Sequence, residues 1–549
     1  MKKILAILTG AALALSCNGL LDMTPRGSVS AKTMWESTKN AEYSINHLYS
    51  YIFSFSANPA PNLGLTEALT DELKYTTYNF NAMALVPSYI AYYESTVTTG
   101  TIDVYLGMWG PLYVAVRETN EGLNYLKSYG QMSDGDKTRL EAELRFLRAF
   151  FYFELAKRYK DVILYDEDLS KISKDKAISP ESEVWDFIQT DLEFAAANLP
   201  AQGAAGGRID KGMAYAFTTR AMLYAKRYDA VIAAADKVKE LGYALESDYA
   251  DSYSKPLASG NKEAILQYTF SRANNIVHDF NFYYTPGGDY VVEESTGGAY
   301  AVPTQELVES YELAETGGFP NWNPWHGSTT VTPPYTSLEP RFQATILYNG
   351  SKWKNRTIEP YIGGTDGWAF WKKEKKPDGR TVTGYYMKKL VDETYDVNTS
   401  GSSQPFTFLR YGEVLLNRAE ACYFISDEVG ANDAVREIRG RVGLPYTDKS
   451  ADNLFKAIIQ ERKVELAFEG QRYWDLRRWN LAARNYPEGL SGYQQHGLRI
   501  EKTGDDTFRY TYVSVDEKNR NFPERLYRLP MPESELSSNS LVEQYDEWK

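Results

Sequence analysis

The most informative stretch of the chain lies near its C-terminus, where residues 461–479 read ERKVELAFEGQRYWDLRRW. Glu461, Glu465 and Glu469 recur every four residues, so we predict that they share one helical face, with Arg472 close by. Carboxylates on a single helix lack the facing geometry that glycosidic acid–base chemistry requires. The spacing instead favours ion pairs within and between helices.

The same stretch is therefore interpreted as structural. We expect Glu465, Arg472 and Asp475 to hold the scaffold together through ion pairs rather than to act on a ligand. Trp474 and Trp479 are expected to anchor this helix in the core.

Helical periodicity extends outward from this stretch over much of the chain. It predicts helices over 138–160 and 180–198, a helical hairpin over 211–241 that resembles a degenerate tetratricopeptide unit, and further helices within 408–426 and 452–479. Cys422 lies on the apolar face of the 408–426 segment, which predicts a core thiol. The fold class that follows is mainly α.

Between residues 256 and 406 the periodicity fails, and Pro, Gly, Thr and Tyr accumulate. Irregular segments of this length are either functional or disordered. The abundance of Trp and Tyr argues against disorder. We therefore predict an ordered, loop-rich layer carried by the helices.

The N-terminus has the features of a lipoprotein leader. Lys2 and Lys3 precede an apolar run that ends at Leu15, and Ser16 stands directly before Cys17. The run is too short to span a bilayer, which favours a cleaved signal peptide over residues 1–16. We expect Cys17 to be acylated; the alternative is an incidental cysteine in an ordinary signal peptide. With Cys17 modified, Cys422 has no disulfide partner.

Several segments together resemble one family, the SusD/RagB outer-membrane nutrient-binding lipoproteins. The stretch 461–479 carries the resemblance most specifically, and shorter matches lie in order at 21–25, 145–149, 409–421 and 529–532. The similarity spans nearly the whole chain after the leader and is weakest across 256–406.

The resemblance implies a scaffold of tetratricopeptide-like helices that supports an irregular ligand-binding layer. The expected divisions are a signal peptide (1–16), an N-terminal helical region (17–255), the loop-rich ligand-binding region (256–406) and a C-terminal helical region (407–549). It also implies a lipid-anchored protein on the cell surface that binds a nutrient. A glycan is the nutrient that the resemblance favours. The implied partner is a SusC-like TonB-dependent transporter. Alternatives are an oligopeptide-binding lipoprotein of the RagB type and a glycoside hydrolase.

Composition and motifs narrow the function further. The net charge is −13, and loss of Lys2 and Lys3 with the leader makes it more negative, which argues against nucleic acid as a partner. The four histidines show no metal-ligand spacing, so we expect no metal and no cofactor. Recognisable catalytic motifs are lacking in the sequence, and we expect a binding protein rather than an enzyme.

Candidate ligand-binding residues follow from the distribution of tryptophan. Five of the eleven lie in one loop-rich window: Trp322, Trp325, Trp353, Trp368 and Trp371. Exposed aromatic rings offer flat faces for sugars through dispersion and weak interactions with the π-face. For any single tryptophan, packing into the core is the competing interpretation. We expect at least one to be a platform.

Further candidates are Tyr283, Tyr335 and the segment 66–79, in which Asp71 and Tyr78 could contact a ligand. A solvated helix end is the alternative for that segment. Residues 350–380 carry an excess of cations, which favours either an anionic glycan or a solvated charge run.

The leader generates the first prediction. In Cys17→Ala, acylation is blocked, so we expect soluble or unprocessed protein, because stable anchoring depends on more than one acyl chain. Membrane fractionation with detection of the chain measures this. Outer-membrane recovery equal to that of the original chain would contradict the anchoring hypothesis.

Overall fold

The computed structural model describes residues 30–56, 65–75, 90–93, 97–171, 173, 175–201, 207–290, 297–369, 380–397, 399 and 401–549. Cys17 lies outside these residues. The chain is mainly α, with short strands, and this confirms the predicted fold class.

The first part of the chain is helical. Its helices are α1 (Ala31–Trp35), α2 (Thr38–Ser56), α3 (Leu65–Ala68), α4 (Thr99–Ile102), α5 (Trp109–Tyr129), α6 (Asp134–Tyr159), α7 (Glu181–Asn198), α8 (Lys211–Tyr224), α9 (Tyr228–Glu240) and α10 (Asp251–Ser254). From α5 to α9, each helix packs against the next. The C-terminal helices α14 (Tyr411–Phe424), α15 (Glu428–Arg441) and α16 (Ala451–Glu465) continue this stack, because α14 packs on both α8 and α9.

Local chemistry explains the helix boundaries. The Ser133 side chain accepts a hydrogen bond from the Asp136 amide and caps α6, so this helix begins four residues before the predicted start. Asp134 and Asp136 in its first turn suit the positive end of the helix dipole. Helices α7, α8, α9 and α14 confirm the helices predicted over 180–198, 211–241 and 408–426.

The predicted helical segment 452–479 is interrupted. Helix α16 ends at Glu465, and α17 (Arg472–Arg478) begins after a turn in which Phe468 and Gly470 have φ of 65° and 74°. A left-handed residue cannot continue an α-helix. The prediction that Glu461, Glu465 and Glu469 share one continuous helix is therefore wrong, because Glu469 lies in this turn.

The middle of the chain is irregular, as predicted. Its elements are β2 (Ala264–Tyr268), α11 (Phe280–Tyr284), β3 (Ala301–Pro303), α12 (Gln305–Val308), β4 (Ser328–Thr329), α13 (Pro340–Thr345), β5 (Ile346–Leu347), β6 (Lys352–Trp353), β7 (Arg356–Thr357), β8 (Tyr386–Met387) and β9 (Phe406–Arg410). Strand β1 (Leu73–Tyr75) pairs with β3, and β2 pairs with β9. Near the C-terminus, β10 (His496–Lys502), β11 (Phe508–Ser514) and β4 form one antiparallel sheet, and α18 (Glu533–Ser538) follows.

Apolar side chains form two large cores. The first fills the helical stack and includes Phe150, Phe217 and Leu416; the second fills the irregular layer and includes Trp353 and Tyr386. The exact division of the chain at 255/256 and 406/407 stays a prediction.

A group of buried charges, the central ion network, lies between the helical stack and the irregular layer. It consists of Arg341, Arg410, Arg439, Arg441 and Lys389 with Glu263, Glu312, Glu339, Glu461, Glu465 and Glu469. Their side chains are at most 12% exposed. The network therefore joins segments that are far apart in sequence.

Glu465 is the most highly connected carboxylate of this network. It accepts from Arg410 at 2.6 Å and Arg341 at 3.2 Å, and it also pairs with Arg441. Burial alone would raise the pKa of Glu465, but these guanidinium groups outweigh that effect and hold the pKa below its usual range.

Two further pairs complete the structural interpretation of the C-terminal stretch. Arg472 binds Asp71, and Asp475 accepts from Arg462 at 2.8 Å. The prediction that Glu465, Arg472 and Asp475 form ion pairs within the scaffold is confirmed. Trp474 is buried, whereas Trp479 is half-buried and donates from Nε1 to Glu420 at 2.9 Å.

Cys422 is a free, fully buried thiol, as predicted, and burial raises its pKa to about 11. Among the described residues, none of the helices has both the length and the apolar character needed to cross a bilayer.

The central ion network generates the second prediction. Glu465→Gln should lower the free energy of unfolding by ~3–5 kcal/mol, because removing one partner leaves buried cations uncompensated. The matched control is Glu488→Gln, which removes the surface pair with Arg484 and should cost less than about 1 kcal/mol. Urea unfolding followed by circular dichroism measures both. Equal midpoints for the two variants would contradict a structural role for Glu465.

Candidate functional site

The tryptophans proposed as platforms lie in the interior. Trp322, Trp325, Trp353 and Trp368 are 5%, 8%, 0% and 5% exposed. Trp322 and Trp325 pack edge to face, with ring centroids 5.5 Å apart. These four rings pack into the irregular layer, so none of them meets the expectation that at least one of the five tryptophans is a platform. Trp371 lies outside the described residues, and its role stays a prediction.

Trp353 also belongs to a buried polar cluster. Its Nε1 donates to Asp289 at 2.9 Å, and Lys354 and Arg356 pair with the same carboxylate at 2.7 and 2.8 Å. Arg356 also pairs with Asp366 at 2.7 Å. These two cations of the basic run over 350–380 are therefore neutralised within the protein, and neither is a free partner for an anionic glycan.

Tyr335 and Asp71 are interior as well. The Tyr335 ring is 1% exposed and lies parallel to Phe342, with centroids 6.0 Å apart. Asp71 pairs with Lys463 at 2.7 Å and Arg472 at 3.1 Å. Burial alone would raise the pKa of Asp71, but these two cations hold it below its usual range. The expectation that Asp71 and Tyr335 reach a ligand is thus not met, since core packing and ion pairing occupy both side chains.

A different set of aromatic side chains reaches the surface, and we name it the aromatic strip. All of its members are half-buried: Phe53, Tyr268, Phe270, His278, Phe282, Tyr283 and Tyr290. Of the described candidates from the sequence, Tyr283 belongs to it. Tyr78, like Trp371, lies outside the described residues.

Contacts between rings make the strip continuous. Phe53 lies 4.2 Å from Tyr268 and 6.0 Å from Phe270, and Phe270 lies 4.6 Å from His278, measured between centroids. The His278 ring lies 6.5 Å from the buried ring of Phe280, measured between centroids. The Phe280 ring in turn packs on Tyr284 at 4.4 Å.

The second half of the strip continues from Tyr284. Tyr283 lies 6.5 Å from that ring, 5.1 Å from Phe282 and 4.8 Å from the buried Tyr300, and Phe282 lies 6.0 Å from Tyr290. Two buried rings, Phe280 and Tyr284, thus connect the two groups of half-buried rings.

Backbone pairing positions the strip. Strand β2 ends at Tyr268, opposite Phe406 of β9. The chain then turns through a bridge between Ser271 and Ile276, in which Asn275 adopts a left-handed conformation with φ of 55°, a region that Asn tolerates well. A second bridge, between His278 and Ser402, leads into the short helix α11.

His278 is held as a neutral ring. Its Nε2 lies 3.0 Å from the Gln404 carbonyl oxygen, and its Nδ1 accepts from the Phe280 amide at 3.2 Å, which assigns the proton to Nε2. Burial lowers the pKa of His278. The ring therefore contributes a fixed planar surface rather than a charge at neutral pH.

Tyr283 combines an exposed face with a free polar end. Among the described residues, no hydrogen bond to its hydroxyl is present, so this group is available to a ligand. Burial, followed by the charge of Asp279, raises the pKa of Tyr283 and keeps the hydroxyl protonated. A phenol in this state can both donate and accept.

Exposed polar residues border the strip: Arg272, Asn274, Asn275 and Asp279. Arg272 lies over the Tyr395 ring at 5.2 Å. Amides, a carboxylate and a guanidinium supply donors and acceptors for hydroxyl groups. Among the described residues, no cluster of His, Cys, Asp and Glu side chains is arranged to hold a metal ion.

The segment 66–75 supports the strip from below. Tyr75 pairs in register with Ala301, next to Tyr300, and its side chain hydrogen-bonds to Tyr284. Asp71 lies in the same segment, which its ion pairs with Lys463 and Arg472 tie to the C-terminal helices.

The sequence holds a signal for the strip that tryptophan content alone misses. From Tyr268 to Tyr290, aromatic residues are dense but follow neither helical nor strand periodicity. A high density of aromatic residues without periodicity indicates rings on loops, where each ring is only partly buried.

Comparisons with known proteins agree with the fold. A model described as the SusD family matches residues 262–548, and a model described as "Starch-binding associating with outer membrane" matches residues 33–223. A SusD-like protein of Bacteroides ovatus is 24% identical over 592 residues, covering 98% of this chain and 97% of that protein.

Two solved structures from Bacteroides fragilis NCTC 9343 are similar over most of the chain. A SusD-like protein is 29% identical, with a TM-score of 0.79, over 95% of this chain and 100% of that chain. A SusD-like carbohydrate binding protein is 23% identical, with a TM-score of 0.75, over 93% of this chain and 100% of that chain.

The contrast between buried and half-exposed rings generates the third prediction. Trp353→Ala should cost ~3–5 kcal/mol of unfolding free energy, because it leaves a cavity in the second core. Tyr283→Ala should leave the melting temperature close to that of the original chain, since part of the ring already faces solvent. Thermal melting of both variants measures this. Greater destabilisation by Tyr283→Ala than by Trp353→Ala would contradict the assignment.

Proposed function

This chain belongs to the SusD family, and from that premise we propose that it is a cell-surface lipoprotein that binds a glycan and passes it to a SusC-like TonB-dependent transporter. The observation that carries the proposal is the aromatic strip, two groups of half-buried rings that are linked through the buried rings of Phe280 and Tyr284. The description of the model that matches residues 33–223 names both starch binding and the outer membrane, in agreement with this role.

The strip favours a sugar ligand for a physical reason. The apolar face of a pyranose gains dispersion and weak C–H interactions on an aromatic ring. Its hydroxyl groups then need partners at the edge of the platform, and Asn274, Asn275 and the Tyr283 hydroxyl can supply them. A partner of this kind is held by stacking and hydrogen bonds together.

The length of the strip favours an oligosaccharide over a single sugar. Successive centroids from Phe53 through Phe270 to His278 are 6.0 and 4.6 Å apart, and a second group of half-buried rings, Phe282, Tyr283 and Tyr290, follows beyond two buried rings. One pyranose covers about one such ring, so several sugar units are needed to occupy the whole platform. The charges at the rim have both signs, which favours a neutral glycan.

Anchoring through Cys17 would hold the binding layer at the outer membrane, where a captured glycan can be transferred. In this proposal the protein binds and delivers, and the transporter moves the ligand across the membrane. The rings and the rim groups would supply the interactions with the ligand.

The class of ligand is tested by screening the purified chain on a glycan array beside a peptide library. We expect saturable binding of one glycan class with micromolar or tighter affinity and no selective peptide. Selective peptide binding without a glycan hit would instead support the RagB-type alternative. Release of shortened sugars from the bound glycan would support the hydrolase alternative.

The fourth prediction tests the strip itself. Tyr283→Ala and Phe270→Ala should each weaken the affinity for the glycan found by the screen about tenfold, the loss expected for one aromatic stacking contact. Tyr283→Phe, which keeps the ring, should lose less. Isothermal titration calorimetry measures the affinities.

The matched control is Tyr43→Ala, since Tyr43 is 58% exposed on α2 outside the strip. Its affinity should equal that of the original chain. If the strip variants bind as well as this control while remaining folded, the platform lies elsewhere, and Trp371 and Tyr78 become the next residues to test.

A further inference from the structure

A cavity lies in the helical stack, between α5, the segment 163–169 and α18. Its volume is about 200 Å³. The walls are mostly apolar and are formed by Tyr113, Val116, Ile163, Tyr165 and Leu169. None of these residues belongs to the aromatic strip.

Most polar groups in the walls are already paired. The Tyr113 hydroxyl donates to the Ile163 carbonyl at 2.9 Å and accepts from the Ile163 amide at 2.7 Å. Asn120 donates to the Tyr165 carbonyl at 2.9 Å and accepts from Arg148 at 2.8 Å. These groups fix the shape of the cavity and have little capacity for a ligand.

Glu535, which also lines the cavity, is held in place on both oxygens. It accepts from Trp109 Nε1 at 3.1 Å and from Asn539 Nδ2 at 2.9 Å. Its carboxylate is therefore turned toward partners in the protein.

Three groups at the cavity remain available. Arg117 is exposed, and its ion-pair partner among the described residues is Glu121 at 3.9 Å, too far for a hydrogen bond. The Tyr165 hydroxyl makes no hydrogen bond to a described residue. The Lys176 ammonium lies 4.6 Å above the Tyr165 ring and has no carboxylate partner among the described residues.

We propose that this cavity binds a compact aromatic carboxylate, with the ring among the apolar walls and the carboxylate at Arg117. A cavity of ~150 Å³ lined by apolar side chains accommodates benzene, so this cavity has room for one aromatic ring and a small substituent. A guanidinium with free donors is the preferred partner of a carboxylate. The Tyr165 hydroxyl can donate a hydrogen bond to a second polar substituent on the ring of the ligand.

Other ligand classes fit less well. A sugar would place hydroxyl groups against Val116, Ile163 and Leu169, where they find no partners, and unpaired polar groups are costly to bury. A cationic ligand would meet Arg117, while the Glu535 carboxylate in the wall already accepts from two protein donors. The site therefore differs in chemistry from the aromatic strip and does not depend on the glycan proposal.

The test uses isothermal titration calorimetry of the full-length chain with sodium benzoate. Benzyl alcohol is the neutral control with the same ring, and methyl glucoside is the sugar control. We expect saturable benzoate binding, at least tenfold weaker binding of benzyl alcohol, and none of methyl glucoside.

Variants locate the site. Arg117→Gln should weaken benzoate binding about tenfold by removing the charged donor. Leu169→Trp should abolish binding by filling the cavity from its half-exposed wall. Arg436→Gln, which removes an exposed arginine on α15, and Tyr283→Ala in the aromatic strip should both bind benzoate as the original chain does.

Thermal melting without ligand confirms that each variant is folded. The proposal is overturned if benzoate shows no saturable binding, if benzyl alcohol or methyl glucoside binds as tightly, or if Arg117→Gln retains full benzoate affinity. Loss of glycan binding in Tyr283→Ala with benzoate binding intact would show that the two sites are independent.

Discussion

The rest of the structure depends on the placement of one buried carboxylate, that of Glu465. Three guanidinium groups converge on it: Arg441 from α15, Arg410 from the end of β9 and Arg341 from α13. Removing these charges from water is costly, and only close geometry with several partners offsets that cost. The central ion network therefore holds the helical stack and the irregular layer in one relative arrangement, because a shift of either would leave buried charges unpaired.

The pair of strands β2 and β9 connects the central ion network to the candidate glycan site. Arg410 ends β9 opposite Ala264, where β2 begins, and four residues later Tyr268 at the end of β2 enters the aromatic strip. A platform for a sugar must hold its rings in place before the ligand arrives, since ordering them on binding would weaken affinity. The loops that carry the strip are irregular, but they begin on a strand fixed by buried ion pairs.

Aromatic residues serve two roles in this chain, as core packing and as exposed surface. The role of each ring depends on how far neighbouring residues bury it. Trp353 and Tyr335 are enclosed on all sides and contribute packing, whereas Tyr283 and Phe270 keep part of each ring at the surface. The cavity beside α5 shows the same principle in the helical stack, where Tyr113 and Tyr165 line a space next to Arg117. The same types of aromatic ring thus occur in both roles, and the exposure of each ring decides whether it packs in the core or can contact a ligand.

The sequence by itself determined most of the helices and the family resemblance, because periodicity and short motifs are local properties of the chain. It also indicated that Glu465 pairs with cations, since acids and arginines recur at helical spacing in this stretch. Only the tertiary structure decided that Trp353 is enclosed while Tyr283 is half-exposed. Exposure depends on which distant segments cover a ring, as the segment of Asp289 does for Trp353, and that information is not contained in local sequence.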